Sequence, residues 1–138
     1  MNPTPAKNTR RWMLVDDDNN VLVFMKDIIT HFGGIEAECY QSPYAAFAAF
    51  SLTPNEYELV ITDLEMPGMD GIELCHSILK LRPDAKVLLS TGSAAVTDKS
   101  VTNHGFSGLL HKPVPFAEMR RLLGDMGIAE ISHPSHPK

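Results

Sequence analysis

Leu59-Val60-Ile61-Thr62-Asp63, running into Leu64-Glu65-Met66-Pro67-Gly68-Met69-Asp70-Gly71, decides how this chain is read. An apolar, β-branched run of strand length delivers a carboxylate to its own end, and a stretch of turn-forming residues follows at once. Trp12-Met13-Leu14-Val15 ends in the same way, in Asp16-Asp17-Asp18, and Leu109-Leu110 runs through His111 into Lys112-Pro113. Three strands therefore aim a set of acids and one cation at one end of a sheet.

Between and beyond these runs, strand-like segments alternate with helical periodicity. Asp70 is placed to cap a helix from Gly71 through Ile72, Leu74, Ile78 and Leu79 to Leu81, which Arg82-Pro83 ends. Val87 to Ser90 predicts a fourth strand, Val96 to Asn103 a weak helix, Gly108 to His111 a fifth strand and Phe116 to Met126 a last helix. Upstream, Val21, Leu22, Met25, Ile28, Ile29 and Phe32 recur at helix spacing until Gly33-Gly34 stops them, and Ile35 to Tyr40 alternates like a strand. Ser42-Pro43 is an N-cap followed by proline at the first helical position, opening a helix from Tyr44 to Phe50. Five strands alternating with five helices predict an α/β fold, a doubly wound parallel sheet covered on both faces. Ligands bind such sheets beyond the carboxyl ends of the strands, where the strand order reverses. Asp16, Asp17, Asp63, Thr91 and Lys112 all fall there. Residues 10–128 are expected to form one domain, with 1–9 and 129–138 as tails.

Composition narrows the function classes. The chain has 138 residues, of which 43% are hydrophobic and 21% charged, enough for a single core. A net charge of -5 with no run of Lys or Arg argues against direct contact with nucleic acid or an anionic membrane. No apolar stretch approaches the roughly 20 residues of a membrane span, and Met1-Asn2-Pro3-Thr4-Pro5 is too polar for a signal peptide, so a soluble, cytoplasmic protein is expected. Cys39 and Cys75 stand outside any CxxC or Cys/His cluster and are expected to be buried, reduced thiols. No two of the six histidines share convincing ligand spacing. Met66 and Met69 read as turn packing, Asp70 as a helix cap, and Asp18 as a cap or turn residue that is simply solvated.

Clustered carboxylates repel one another, and the usual relief is a hard cation: Mg²⁺ takes one or two carboxylates, a carbonyl and waters. Asp17 and Asp63 are the best direct ligands. A carboxylate is also a nucleophile toward phosphorus, giving an acyl phosphate, and a metal with a fixed ammonium would neutralise the transferring group. Asp63 is the candidate nucleophile and Lys112 the ammonium. Thr91 can offer its hydroxyl to phosphoryl oxygens, and Gly92 leaves room beside it.

Over roughly residues 10 to 126 the chain resembles the receiver domain of two-component response regulators. The resemblance rests on four motifs in order: Val15-Asp16-Asp17; Thr62-Asp63-Leu64 with Met66-Pro67-Gly68-Met69-Asp70-Gly71; Ser90-Thr91-Gly92; and Lys112-Pro113. It implies a flavodoxin-like sheet of strand order 2-1-3-4-5. It implies that Asp63 accepts phosphate from a phosphohistidine on a sensor histidine kinase or histidine phosphotransfer domain. It implies further that Asp17, Asp63 and the Glu65 backbone carbonyl bind Mg²⁺ directly, that Asp16 acts mainly through water, and that Thr91 and Lys112 meet the phosphoryl group. Gly92 resembles receivers attached to hybrid histidine kinases, and Glu65 and Ser93 occupy positions that influence phosphoryl lifetime in the family. Leu109 stands where many members carry an aromatic switch residue, so reordering of residues 92 to 106 is expected in place of a ring flip. On this reading the chain is a phosphoacceptor and no enzyme beyond self-phosphorylation and self-dephosphorylation, either alone or as part of a larger protein, and a homodimer is open to it. Two other classes use similar parts: an aspartyl-phosphate hydrolase, with Glu65 two residues after its nucleophile, and a phosphorylation-independent scaffold.

Overall fold

The computed structural model describes residues 10–125. Its elements are β1 (Arg10–Val15), α1 (Asn19–Thr30), β2 (Ile35–Tyr40), α2 (Pro43–Leu52), a 3-10 turn (Pro54–Glu56), β3 (Tyr57–Asp63), α3 (Gly71–Leu81), β4 (Val87–Thr91), α4 (Asp98–Thr102), β5 (Gly108–His111) and α5 (Phe116–Asp125). All strand pairs are parallel, in the order β2-β1-β3-β4-β5. That is the expected doubly wound sheet.

Alternation along the strands divides the core in two. Trp12, Leu14, Leu59, Ile61, Leu88 and Leu110 face α1 and α5, where Leu22, Ile29 and Met119 close over them. Met13, Val15, Val60, Val87, Leu89 and Leu109 face α2, α3 and α4, against Phe50, Leu74 and Val101. With both faces covered, the middle strands read as continuous apolar runs, which is why β3 and β4 carry no polar alternation.

Local chemistry sets the helix starts. The Ser42 hydroxyl accepts from the Ala45 N–H with Pro43 at the first helical position, and Asp70 and Glu73 form a reciprocal capping box on α3. Asp18 does more than sit in solvent: its carboxylate accepts from the Asn20 N–H and caps α1.

Two expectations need correction, and one element is new. Cys39 is exposed, because β2 lies at the edge of the sheet and one side of it meets solvent; only Cys75 is a buried thiol, its pKa pushed by burial up to about 11. The fourth helix is shorter than Val96 to Asn103, since the Thr97 hydroxyl accepts from the Ser100 N–H and starts α4 at Asp98. The 3-10 turn before β3 carries no apolar periodicity and was not expected. Met126 and both expected tails lie outside the described residues. Among the described residues no helix is long and apolar enough to cross a membrane.

Candidate functional site

The chain turns one way from β1 to β2 and the other way from β2 to β3, so the strand order reverses between β1 and β3. Asp16 follows β1 and Asp63 ends β3, which places both at the crevice where such sheets bind ligands. Carboxylate oxygens of Asp16, Asp17 and Asp63 lie within 4.8 Å of one another, a spacing one hard cation can span. Asp16 is 3% exposed and Asp63 9%, whereas Asp17 is open to solvent.

Lys112 reaches across from the end of β5. Its Nζ donates to Asp16 Oδ2 at 2.8 Å and to Asp63 Oδ1 at 3.0 Å. Asp16 is held a second time by the Asp18 N–H, which donates to its Oδ1 at 2.9 Å. No partner for the Asp17 carboxylate is present among the described residues, so Lys112 serves only two of the three acids. Burial pushes the Asp63 carboxyl above its ordinary pKa; the Lys112 hydrogen bond pulls it back, and the Asp16 charge adds to the rise. Burial works against the Lys112 ammonium, yet its bonds to Asp16 and Asp63 outweigh that and hold its pKa above the ordinary value. The lysine stands where an incoming cation and phosphoryl group would compete for the same oxygens.

Asp63, Glu65, Thr91, Gly92, Ser93 and Lys112 line an open cleft of about 410 Å³. The Thr91 oxygen accepts from the Ser93 N–H at 3.1 Å, which leaves the hydroxyl hydrogen to donate elsewhere. A Cβ built on Gly92 would meet none of the described residues within 4 Å, which leaves space beside Thr91. Sequence reasoning missed Gly71 as a determinant of the site. Its N–H donates to the Leu64 carbonyl at 2.8 Å, and a Cβ there would fall 2.2 Å from the Asp63 carbonyl oxygen. Only glycine lets α3 start against the end of β3 and fold the Glu65 loop over the cleft. Its signals were its place beside the Asp70 cap and at the end of the motif that follows β3.

All the residues expected at the site are thus at one end of the sheet. The chain matches the family model of the response regulator receiver domain over residues 13–124, and it belongs to that family. It is a receiver domain of two-component systems. Among its relatives, the response regulator receiver protein CpdR of Brucella abortus is 32% identical over 87 residues, 63% of this chain and 70% of that protein. Protein-glutamate methylesterase/protein-glutamine glutaminase 1 of Paramagnetospirillum magneticum is 35% identical over 89 residues, 64% of this chain and 23% of that protein. The chain therefore spans about a quarter of the longer relative and most of the shorter. A solved structure of response regulator protein TrrA from Thermotoga maritima, in complex with Mg(2+)-BeF, superposes with a TM-score of 0.75 at 26% identity, covering 86% of this chain and 99% of that one.

Proposed function

We propose that Asp63 is the phosphoacceptor of this receiver domain and that its donor is a phosphohistidine on a sensor histidine kinase or histidine phosphotransfer domain. The observation that carries the reading is the Lys112 ammonium bonded to Asp63 beside two further carboxylates at the strand-order reversal. An Asp63 oxygen attacks phosphorus, the phosphorus–nitrogen bond breaks, and its electron pair returns to the donor imidazole. Lys112 then moves from the carboxylates to the new phosphoryl oxygens, and the Thr91 hydroxyl donates to another. Mg²⁺ fits the donor set, since Asp17, Asp63 and the Glu65 carbonyl offer hard oxygens and Asp16 can hold a coordinated water; when bound it neutralises charge on the transferring group. The TrrA neighbour, solved with Mg(2+)-BeF, supports that fit. Residues 10–128 form the working unit, which modifies only itself and switches or relays the signal. Leu109 brings no ring to exchange between core and solvent, so residues 92 to 106, built around the five-residue α4, carry the change of shape.

The test is incubation with Mg²⁺ and a small phosphodonor. One acid-stable, base-labile phosphoryl group per chain is expected, lost in Asp63→Asn and in chelator. Full labelling of Asp63→Asn overturns the site; multiple turnover of an organic phosphate would mean a hydrolase, and absence of label a scaffold.

A further inference from the structure

On β4 the register partner of Asp63 is Ser90. Side chains at matched positions of neighbouring parallel strands turn to the same face, so Ser90 stands beside the Asp63 carboxylate on the α1–α5 side of the sheet. Two positions earlier on β4, and opposite on β5, that face carries Leu88 and Leu110. Ser90 breaks the aliphatic pattern. It is 3% exposed, and its buried hydroxyl has no hydrogen-bond partner among the described residues. An unpaired buried hydroxyl is destabilising, a cost an aliphatic side chain would not carry. A void of about 10 Å³ lies alongside, lined by Asp16, Asp63 and Ser90 with Leu22, Met25 and Ile61. The hydroxyl has room to turn.

In the free site Asp63 already has donors, Lys112 Nζ and the Leu64 backbone N–H. Once Asp63 carries a phosphoryl group, Lys112 is drawn to the phosphoryl oxygens and the carboxyl loses a donor. We propose that the Ser90 hydroxyl replaces it, donating to the Asp63 carboxyl as the acyl phosphate breaks down, and so shortens the life of the phosphoryl group. This rests on the phosphoacceptor reading of Asp63. In breakdown a solvent water attacks phosphorus and the bond between phosphorus and the Asp63 oxygen breaks. The electron pair stays on that oxygen, and the proton of the water leaves with inorganic phosphate or to solvent. A neutral acyl oxygen accepts a weak hydrogen bond and a carboxylate a strong one, so a fixed donor favours the state in which charge has formed on Asp63.

Ser90→Thr and Ser90→Val separate the hydroxyl from its shape, since both add the same branch toward the void and only threonine keeps the donor. Each variant and the parent chain are labelled with a small phosphodonor and Mg²⁺, freed of donor, and followed for loss of the acid-stable, base-labile label. The label should last about tenfold longer in Ser90→Val and within about twofold of the parent in Ser90→Thr, the size expected of one hydrogen bond to a charged oxygen. Ser90→Ala, which cannot overpack, should lengthen it likewise. Equal lifetimes in the threonine and valine variants, or faster loss in valine and alanine, overturn the role of Ser90 while leaving Asp63 as acceptor. A parent chain that takes no label overturns both.

Discussion

The two ends of β1 handle charge in opposite ways. At the amino end, Arg11 bonds to both Glu38 and Glu56 and lies over the Tyr57 ring at 4.7 Å. The Tyr57 and Tyr40 hydroxyls donate to the same Glu38 oxygen, at 2.7 Å and 3.3 Å. Next to them Arg10 and the Trp12 indole N–H donate to Glu58, each at 2.8 Å to Oε1. Each of these acids meets a cation. At the carboxyl end the Lys112 ammonium bonds only Asp16 and Asp63 of the three clustered acids, and among the described residues the hydroxyl of Ser90 has no partner. A complete network of half-buried charge needs nothing further and serves the fold; an incomplete one is stable only at a cost and gains when a ligand completes it. The pKa directions agree. Burial raises both Glu38 and Asp63, but the Arg11 and Tyr57 bonds reverse the rise at Glu38, whereas Lys112 fails to reverse it at Asp63.

The largest effect should come from breaking the complete end. Glu38→Ala leaves Arg11 and two phenols short of an acceptor and is expected to cost about 2 kcal/mol in urea denaturation, while phosphoryl labelling is unchanged. Because the folded pKa of Glu38 is depressed, its contribution is present above the unfolded value and lost as pH falls through the folded value, so the variant should also flatten the acid side of the stability curve. A loss of labelling in this variant would show that the two ends are not separate.

Next comes the metal. Asp17→Asn is expected to weaken Mg²⁺ binding about tenfold, and Asp16→Asn less, because Asp17 has no competing partner among the described residues and Asp16 is held by Lys112 and the Asp18 N–H. Calorimetric titration giving the reverse order would put Asp16 in direct contact with the ion.

The smallest effect has the opposite sign to the first. Asp63→Asn removes a desolvated charge and should stabilise the chain by about 1 kcal/mol near neutral pH. The folded pKa of Asp63 is raised, so below its unfolded value both states are protonated and the gain disappears; as pH rises through the folded value, the parent chain loses stability that the variant keeps. Urea curves at acid and neutral pH check this. A variant that is less stable at neutral pH would mean that the Lys112 bond outweighs burial.

Much of this was legible in the sequence. The limits of β2, α3 and β5 follow from local signals, the alternation of Ile35 to Tyr40 and the Asp70 cap with its Arg82-Pro83 stop, and they need no tertiary information. Asp16, Asp17, Asp63, Thr91 and Lys112 stood out because each lies at or just past the end of an apolar run. What was hidden depends on distance across the sheet. Periodicity does not say which strand is the edge, so Cys39 was misplaced. It does not say that Lys112 bridges from β5 to β1, or that Gly71 must approach the Asp63 carbonyl. A serine in an apolar run reads the same whether or not its hydroxyl has an acceptor, and Ser90 became visible only through its packing.

Trp12 has a practical consequence. It is the one tryptophan in the sequence, fully buried, with its indole N–H on Glu58 and Phe32 beside its ring at 6.2 Å. Four residues of strand, roughly 13 Å, separate it from Asp16. Its emission therefore reports whether the sheet is intact and is blind to the occupancy of the acid cluster. A fluorescence melt measures the scaffold alone, and a ligand-dependent change in that signal would mean that the event at one end of β1 had been felt at the other.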